Sequence, residues 1–139
     1  MDNKHKHLEF IQSAIARMGN NLFLVKGWTI TLVSALSAAA ATKSSALYAA
    51  IAMLPAIVFW ALDGYLLSIE RCLRDLYDHV RQLPEQQIDF SMDVSRFKNK
   101  RSNTTFGAMT SKTLLWYYVP IILVLLLFVY GVMRGLFPA

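Results

Sequence analysis

The chain has 139 residues, 55% of them hydrophobic, a formal net charge of +5 and one cysteine, with a mean hydropathy of +0.39. Three apolar runs take up nearly half of it, and the remainder is too short for a separate soluble domain with its own core. The lone Cys72 excludes an intrachain disulfide and a multi-cysteine metal site.

Residues 1–21 open with Lys4-His5-Lys6-His7, which reads as a solvated tail rather than a metal site. Leu8, Ile11, Ile15, Met18 and Leu22 then recur at steps of three and four. This is the stripe of a cytoplasmic amphipathic helix. Gly19-Asn20-Asn21 is its expected weak point.

Residues 22–41 and 47–67 are apolar and joined by a short polar turn. Each has the length that an α-helix needs to cross a bilayer core, and lipid offers no partner for an exposed backbone. The small residues at 37–41 also suit a signal-peptidase site. The preceding 21 residues, with Asp2 and Glu9, make a poor leader, so the first run reads as a retained span. The charges within the runs are Lys26 in the first and Asp63 in the second.

Residues 68–83 continue the second helix on a stripe of Ile69, Leu73, Leu76, Val80 and Leu83, and Pro84 stops it. The two stripes read as packing on each other; the alternative is a helix lying on the headgroups. Residues 84–112 form a cytoplasmic loop. Within it, residues 88–94 alternate apolar and polar, which fits either an edge strand or an irregular strap. Arg96, Lys98, Lys100 and Arg101 follow as a basic run suited to anionic lipid or a partner rather than to nucleic acid. Residues 113–137 are the third span. Its segment 121–129 is nearly all large and aliphatic, as for a lipid-facing or peripheral helix.

Lys and Arg cluster before the first span and between the second and third, so both segments belong in the cytoplasm. Trp28, Trp60 and Trp116-Tyr117-Tyr118 then form an inner aromatic belt, with Tyr48, Tyr130 and Phe137 in an outer one. The fold expected is an all-α integral membrane protein of the bacterial inner membrane. It has three transmembrane helices, the first two forming a long antiparallel hairpin that extends into the cytoplasm. With the turn centred on Ser44, Lys26 comes level with Asp63, Arg17 with Glu70, and Glu9 with His79 and Arg81.

Lys26 and Asp63 are the candidate intramembrane charge pair, since each alone is costly in lipid. Asp63 as a proton, cation or pore-lining group is the functional alternative. Gly27, Thr31, Ala35, Ala38, Ala52, Ala56 and Gly64 are candidate oligomer contacts, because small residues let helix backbones approach. No phosphate-cradling glycine loop or zinc-spaced ligand set occurs, so no catalytic residue, cofactor or metal is assigned and the protein is not expected to be an enzyme.

The segments Lys6-His7-Leu8-Glu9-Phe10-Ile11-Gln12, Asn21-Leu22-Phe23-Leu24-Val25-Lys26-Gly27-Trp28, Phe59-Trp60-Ala61-Leu62-Asp63-Gly64-Tyr65 and Glu70-Arg71 resemble a group of small uncharacterised bacterial inner-membrane proteins. The similarity runs from about residue 8 to residue 94. In architecture the chain is also loosely similar to SLATT-type helical-hairpin effectors of antiviral defence systems. That resemblance implies a membrane pore opened when a cytoplasmic sensor protein signals. It also implies a shared framework of Lys26, Gly27, Trp28, Asp63, Gly64, Glu70 and Arg71, but carries over no functional residue.

The expected function is therefore an oligomeric inner-membrane effector or channel. The alternatives are a non-conducting anchor or adaptor, or a small transporter or holin-like protein. The charge bias makes a topology prediction. In intact cells a C-terminal tag will be labelled by an impermeant reagent and an N-terminal tag will not; the opposite pattern would reverse the assignment.

Overall fold

A computed structural model describes residues 3–43 and 45–136, with the side chains of Lys43, Ala46 and Ala49 excepted. Ser44 and Phe137, named above for the turn and the outer belt, lie outside that range. The described residues are helical, with no strand among them: α1 Asn3–Lys43, α2 Ala46–Ile51, α3 Met53–Gln82, α4 Thr105–Met109 and α5 Lys112–Met133, with three short 3-10 turns between α3 and α4. α1, α3 and α5 are long and apolar enough to cross a membrane.

The amphipathic segment and the first apolar run form one long helix, α1, as the hairpin extending beyond the bilayer leads one to expect. It is unbroken at the weak point Gly19-Asn20-Asn21, and the boundaries differ in two other places. A helical glycine costs about 1 kcal/mol, less than the burial of Ile11, Ala14, Leu22 and Val25 on either side contributes. The second apolar run is interrupted at Ala52, three residues before Pro55. Pro55 falls in the first turn of α3, where no amide hydrogen is required. α5 stops at Met133. Gly135, at φ 67°, lets its own amide reach the Val132 carbonyl while that of Leu136 reaches Gly131, closing the helix with a left-handed glycine cap.

The chain divides into two compact units, Met1–Phe23 with Gly64–Ala108, and Leu24–Asp63 with Met109–Ala139. In the first, Ile11 of α1 packs on Leu76 and Val80 of α3, flanked by Leu8, Ile15 and Tyr77. The amphipathic stripes thus meet each other. His7 is buried rather than solvated, at 1% exposure, and its Nε2 lies 3.1 Å from the Ser91 carbonyl. The level pairs expected in this unit do not form. Glu70 turns to Arg74 one turn along, at 2.6 Å. Arg17 and Glu9 are exposed and enter no ion pair among the described residues. Equal depth brings two groups to one height, but helix rotation points them apart.

Residues 84–104 form a strap, and Ile88, Val94 and Phe97 pack it onto the Ile11 cluster. The alternation at 88–94 does not make a strand because its polar members bond their own backbone. Asp89 accepts from the Ser91 amide, Ser91 from Asp93, and Asp93 from Ser95. Asx and Ser turns of this kind take the amides that a ladder would need. Phe90 sits at φ 55° between them.

The strap is held at Asp75. Its carboxylate accepts from Lys100 Nζ at 2.9 Å and from Asn103 Nδ2 at 2.6 Å, while Asn103 also donates to the Phe97 carbonyl. Burial raises the Asp75 carboxyl, but the Lys100 and Asn103 hydrogen bonds and the Lys100 charge outweigh it, leaving the group below its ordinary value. A depressed carboxylate stabilises fully above its unfolded pKa, about 3.9. That stability is lost as pH falls below this value through the folded one. Strap amides 95–104 should therefore exchange hydrogen faster below about pH 4, and Asn103→Ala should cost about 1–3 kcal/mol with the same local loss of protection at neutral pH. Unchanged exchange in both experiments would show that Asp75 does not hold the strap.

Candidate functional site

The second unit is built around one buried carboxylate. α3 supplies Asp63, which is fully buried. Its Oδ2 accepts from Lys26 Nζ of α1 at 2.6 Å and from Tyr118 Oη of α5 at 3.1 Å. The Tyr118 hydroxyl also lies 3.2 Å from the Phe59 carbonyl, so its single hydrogen is shared between two acceptors. Beside it, Tyr117 donates to the Lys26 carbonyl at 2.7 Å, and its ring lies 5.7 Å from Lys26 Nζ. Trp60 stacks on Tyr118 at 5.9 Å and donates to the Met109 carbonyl. Thr29, fully buried, turns its hydroxyl to the Val25 carbonyl one turn back.

Each group has a physical reason to be there. A carboxylate out of water requires a cation and further donors. Lys26 supplies the cation and keeps 26% of its side chain exposed, so its stem reaches inward from a wetter position. Tyrosine buries a large ring while its hydroxyl keeps a partner. The other carboxylate oxygen, Oδ1, is buried with no partner among the described residues.

Tyr117, Tyr118 and Trp60, assigned above to the inner belt, bond their polar atoms to neighbours within the unit. The signal in the sequence was Asp63 itself, an acid in an apolar run that needs more than one donor once buried. Nothing in the spacing selected Tyr118, which donates to the same oxygen as Lys26. Trp28 and Trp116 are exposed.

The small residues divide into two sets. Ala52 and Ala56 are fully buried against Leu125 of α5, which is itself 2% exposed, with Val33, Leu36 and Ile121 around them. α5 is therefore not wholly lipid-facing. Ala40 packs on Val132 in the same way. Gly64, in the first unit, is buried. Gly27, Thr31, Ala35 and Ala38 are exposed on α1, with open space where a Gly27 side chain would stand.

The basic run is also divided. Lys100 is committed to Asp75, and the Arg96 guanidinium lies over the Phe97 ring at 4.8 Å. Lys98 and Arg101 enter no ion pair among the described residues. No cluster of potential metal ligands occurs among the described residues. No protein-family model, curated protein or solved structure matches this chain.

Asp63→Asn should destabilise the fold by about 3 kcal/mol, because Lys26 is left without its anion, and Tyr118→Phe by about 1 kcal/mol. Lys26→Met with Asp63→Leu should recover much of the first loss. A thermal-unfolding double-mutant cycle in detergent measures the coupling, and additive losses would mean that the pair contributes nothing as a pair.

Proposed function

We propose that this protein is a homo-oligomeric channel-forming effector of the bacterial inner membrane, with its N-terminus in the cytoplasm, which perturbs the membrane when a cytoplasmic sensor partner acts on it. The observation that carries this reading is the outer face of α1. Gly27, Thr31, Ser34 and Ala38 follow at steps of four, three and four, and all are exposed. They lie about 200° around the helix from the buried Val25 and Thr29.

Lipid selects large aliphatic side chains, as the exposed Leu123, Val124, Leu126 and Leu127 of α5 illustrate. On α1 small residues interrupt the exposed Phe23, Leu24, Trp28 and Ile30, which suits close approach of a second helix, although the Thr31 hydroxyl is bonded to the Gly27 carbonyl. Copies of α1 brought together on this face would supply the polar path that one copy lacks.

The anchor reading is favoured by a different observation. Within one copy the Asp63 carboxylate is sealed by Lys26 and Tyr118, and Leu125 fills the space beside Ala52 and Ala56. The same sealing argues against a proton-coupled carrier, which needs that carboxylate accessible.

Ala35→Phe and Ala38→Leu should lower the oligomer mass in mild detergent and abolish leakage of dye from proteoliposomes. Leu127→Ile should change neither. A wild-type monomer in nanodiscs that leaves liposomes tight would remove the channel reading and leave the anchor.

A further inference from the structure

Lys98 is exposed, pairs with no carboxylate among the described residues, and borders a cavity of about 250 Å³ in the first unit. The remaining walls are Tyr65, Ser68, Ile69, Cys72, Asn103, Thr104 and Thr105. No carboxylate is among them. The nearby acid, Asp75, is already covered by Lys100 and Asn103.

The hydroxyls of this cavity fall into two classes. Ser68 donates to the Tyr65 carbonyl, and Thr104 donates to Arg101 while accepting from the Gly107 amide, so both are spent on the backbone. The Tyr65 and Thr105 hydroxyls and the Lys98 ammonium have no partner among the described residues. One cation and two free hydroxyl donors, with no competing acid, match an anion with several acceptor oxygens.

The volume admits a phosphate and a few waters, at about 30 Å³ per water. A second polar cavity of about 300 Å³ in the same unit lacks this character, because Asp89 and Asp93 share its lining with His79 and Arg96. Burial raises the Cys72 thiol and Asp75 raises it further, whereas Lys98 acts in the opposite direction, so the Lys98 charge is felt inside the wall.

The geometry points to a phosphate-binding site in this cavity, held by Lys98, Tyr65 and Thr105, which takes the headgroup phosphate of an anionic phospholipid. Tyr65 lies near the end of the apolar run 47–67, the depth at which headgroup phosphates lie if that run crosses the bilayer. The site depends on the membrane reading for the source of its ligand, and not on oligomerisation.

Native mass spectrometry of the full chain in detergent tests it, with phosphatidylglycerol as probe and a phosphate-free galactolipid as control. Inorganic phosphate is added as competitor in a separate arm. The expected result is a phosphatidylglycerol adduct that Lys98→Gln weakens about tenfold, the worth of one charge-assisted hydrogen bond. Thr105→Val should weaken it less, and Arg101→Gln, outside the cavity lining, should leave it unchanged. An unaltered melting temperature shows that Lys98→Gln is folded.

Displacement by millimolar inorganic phosphate would keep the site and assign it to a soluble phosphate compound. Equal adducts with galactolipid, or equal losses in Lys98→Gln and Arg101→Gln, would overturn it, the latter by showing diffuse charge attraction only. The oligomer mass read in the same spectra reports separately on the channel, so a monomer that retains the adduct would sink that reading and keep this one.

Discussion

A carboxylate without water is the constraint on which the second unit depends. Asp63 is fully buried, and an isolated charge there is far too costly to persist. Three helices answer it: α3 carries the acid, α1 the lysine and α5 the tyrosine. Meeting that demand orients each helix. With Val25 and Thr29 of α1 turned inward, Gly27, Thr31, Ser34 and Ala38 are turned outward. With Tyr118 turned to Asp63, Leu125 and Val132 follow at seven-residue steps on the same face and land on Ala52, Ala56 and Ala40.

This orientation separates small residues with two jobs. Ala40, Ala52 and Ala56 let α5 approach within the chain, so they are already used. Gly27, Thr31 and Ala38 of α1 are exposed instead, and that contrast is what the proposed oligomer rests on. In the second unit the Lys26, Thr29, Tyr117 and Tyr118 polar groups are tied to neighbours, while Asp63 Oδ1 is buried without a partner among the described residues.

The first unit follows the rules of a water-soluble protein. Amphipathic stripes of α1 and α3 bury Ile11, Leu76 and Val80, and a polar strap covers them, pinned by Asp75. Gly107 is required at one place: a side chain there would collide with the Arg101 carbonyl, so α4 packs against the strap only through a glycine. The same strap spends Lys100 on structure and leaves Lys98 beside a cavity, which separates two residues that a charge count treats alike.

Much of the architecture was legible in the residues. Length and apolarity announced three helices able to cross a bilayer, because these properties are local and need no partner. The steps of three and four in residues 8–22 and 66–83 marked the faces that meet. A lysine and an acid at matched depth marked the site, because each is anomalous where it stands.

What the tertiary structure alone decided was rotation and competition. In α5 every face is apolar, so no periodicity distinguished Tyr118, Leu125 and Val132 as the buried side. At 88–94 the alternation was real, but Asp and Ser side chains captured the amides that a strand would have used. Glu70 chose Arg74 over Arg17 because a neighbour one turn away is held in place by the helix itself. Sequence therefore determined which segments are helical and which residues demand partners. Only packing in three dimensions determined which partner each received, because that choice depends on where the side chains of other helices point.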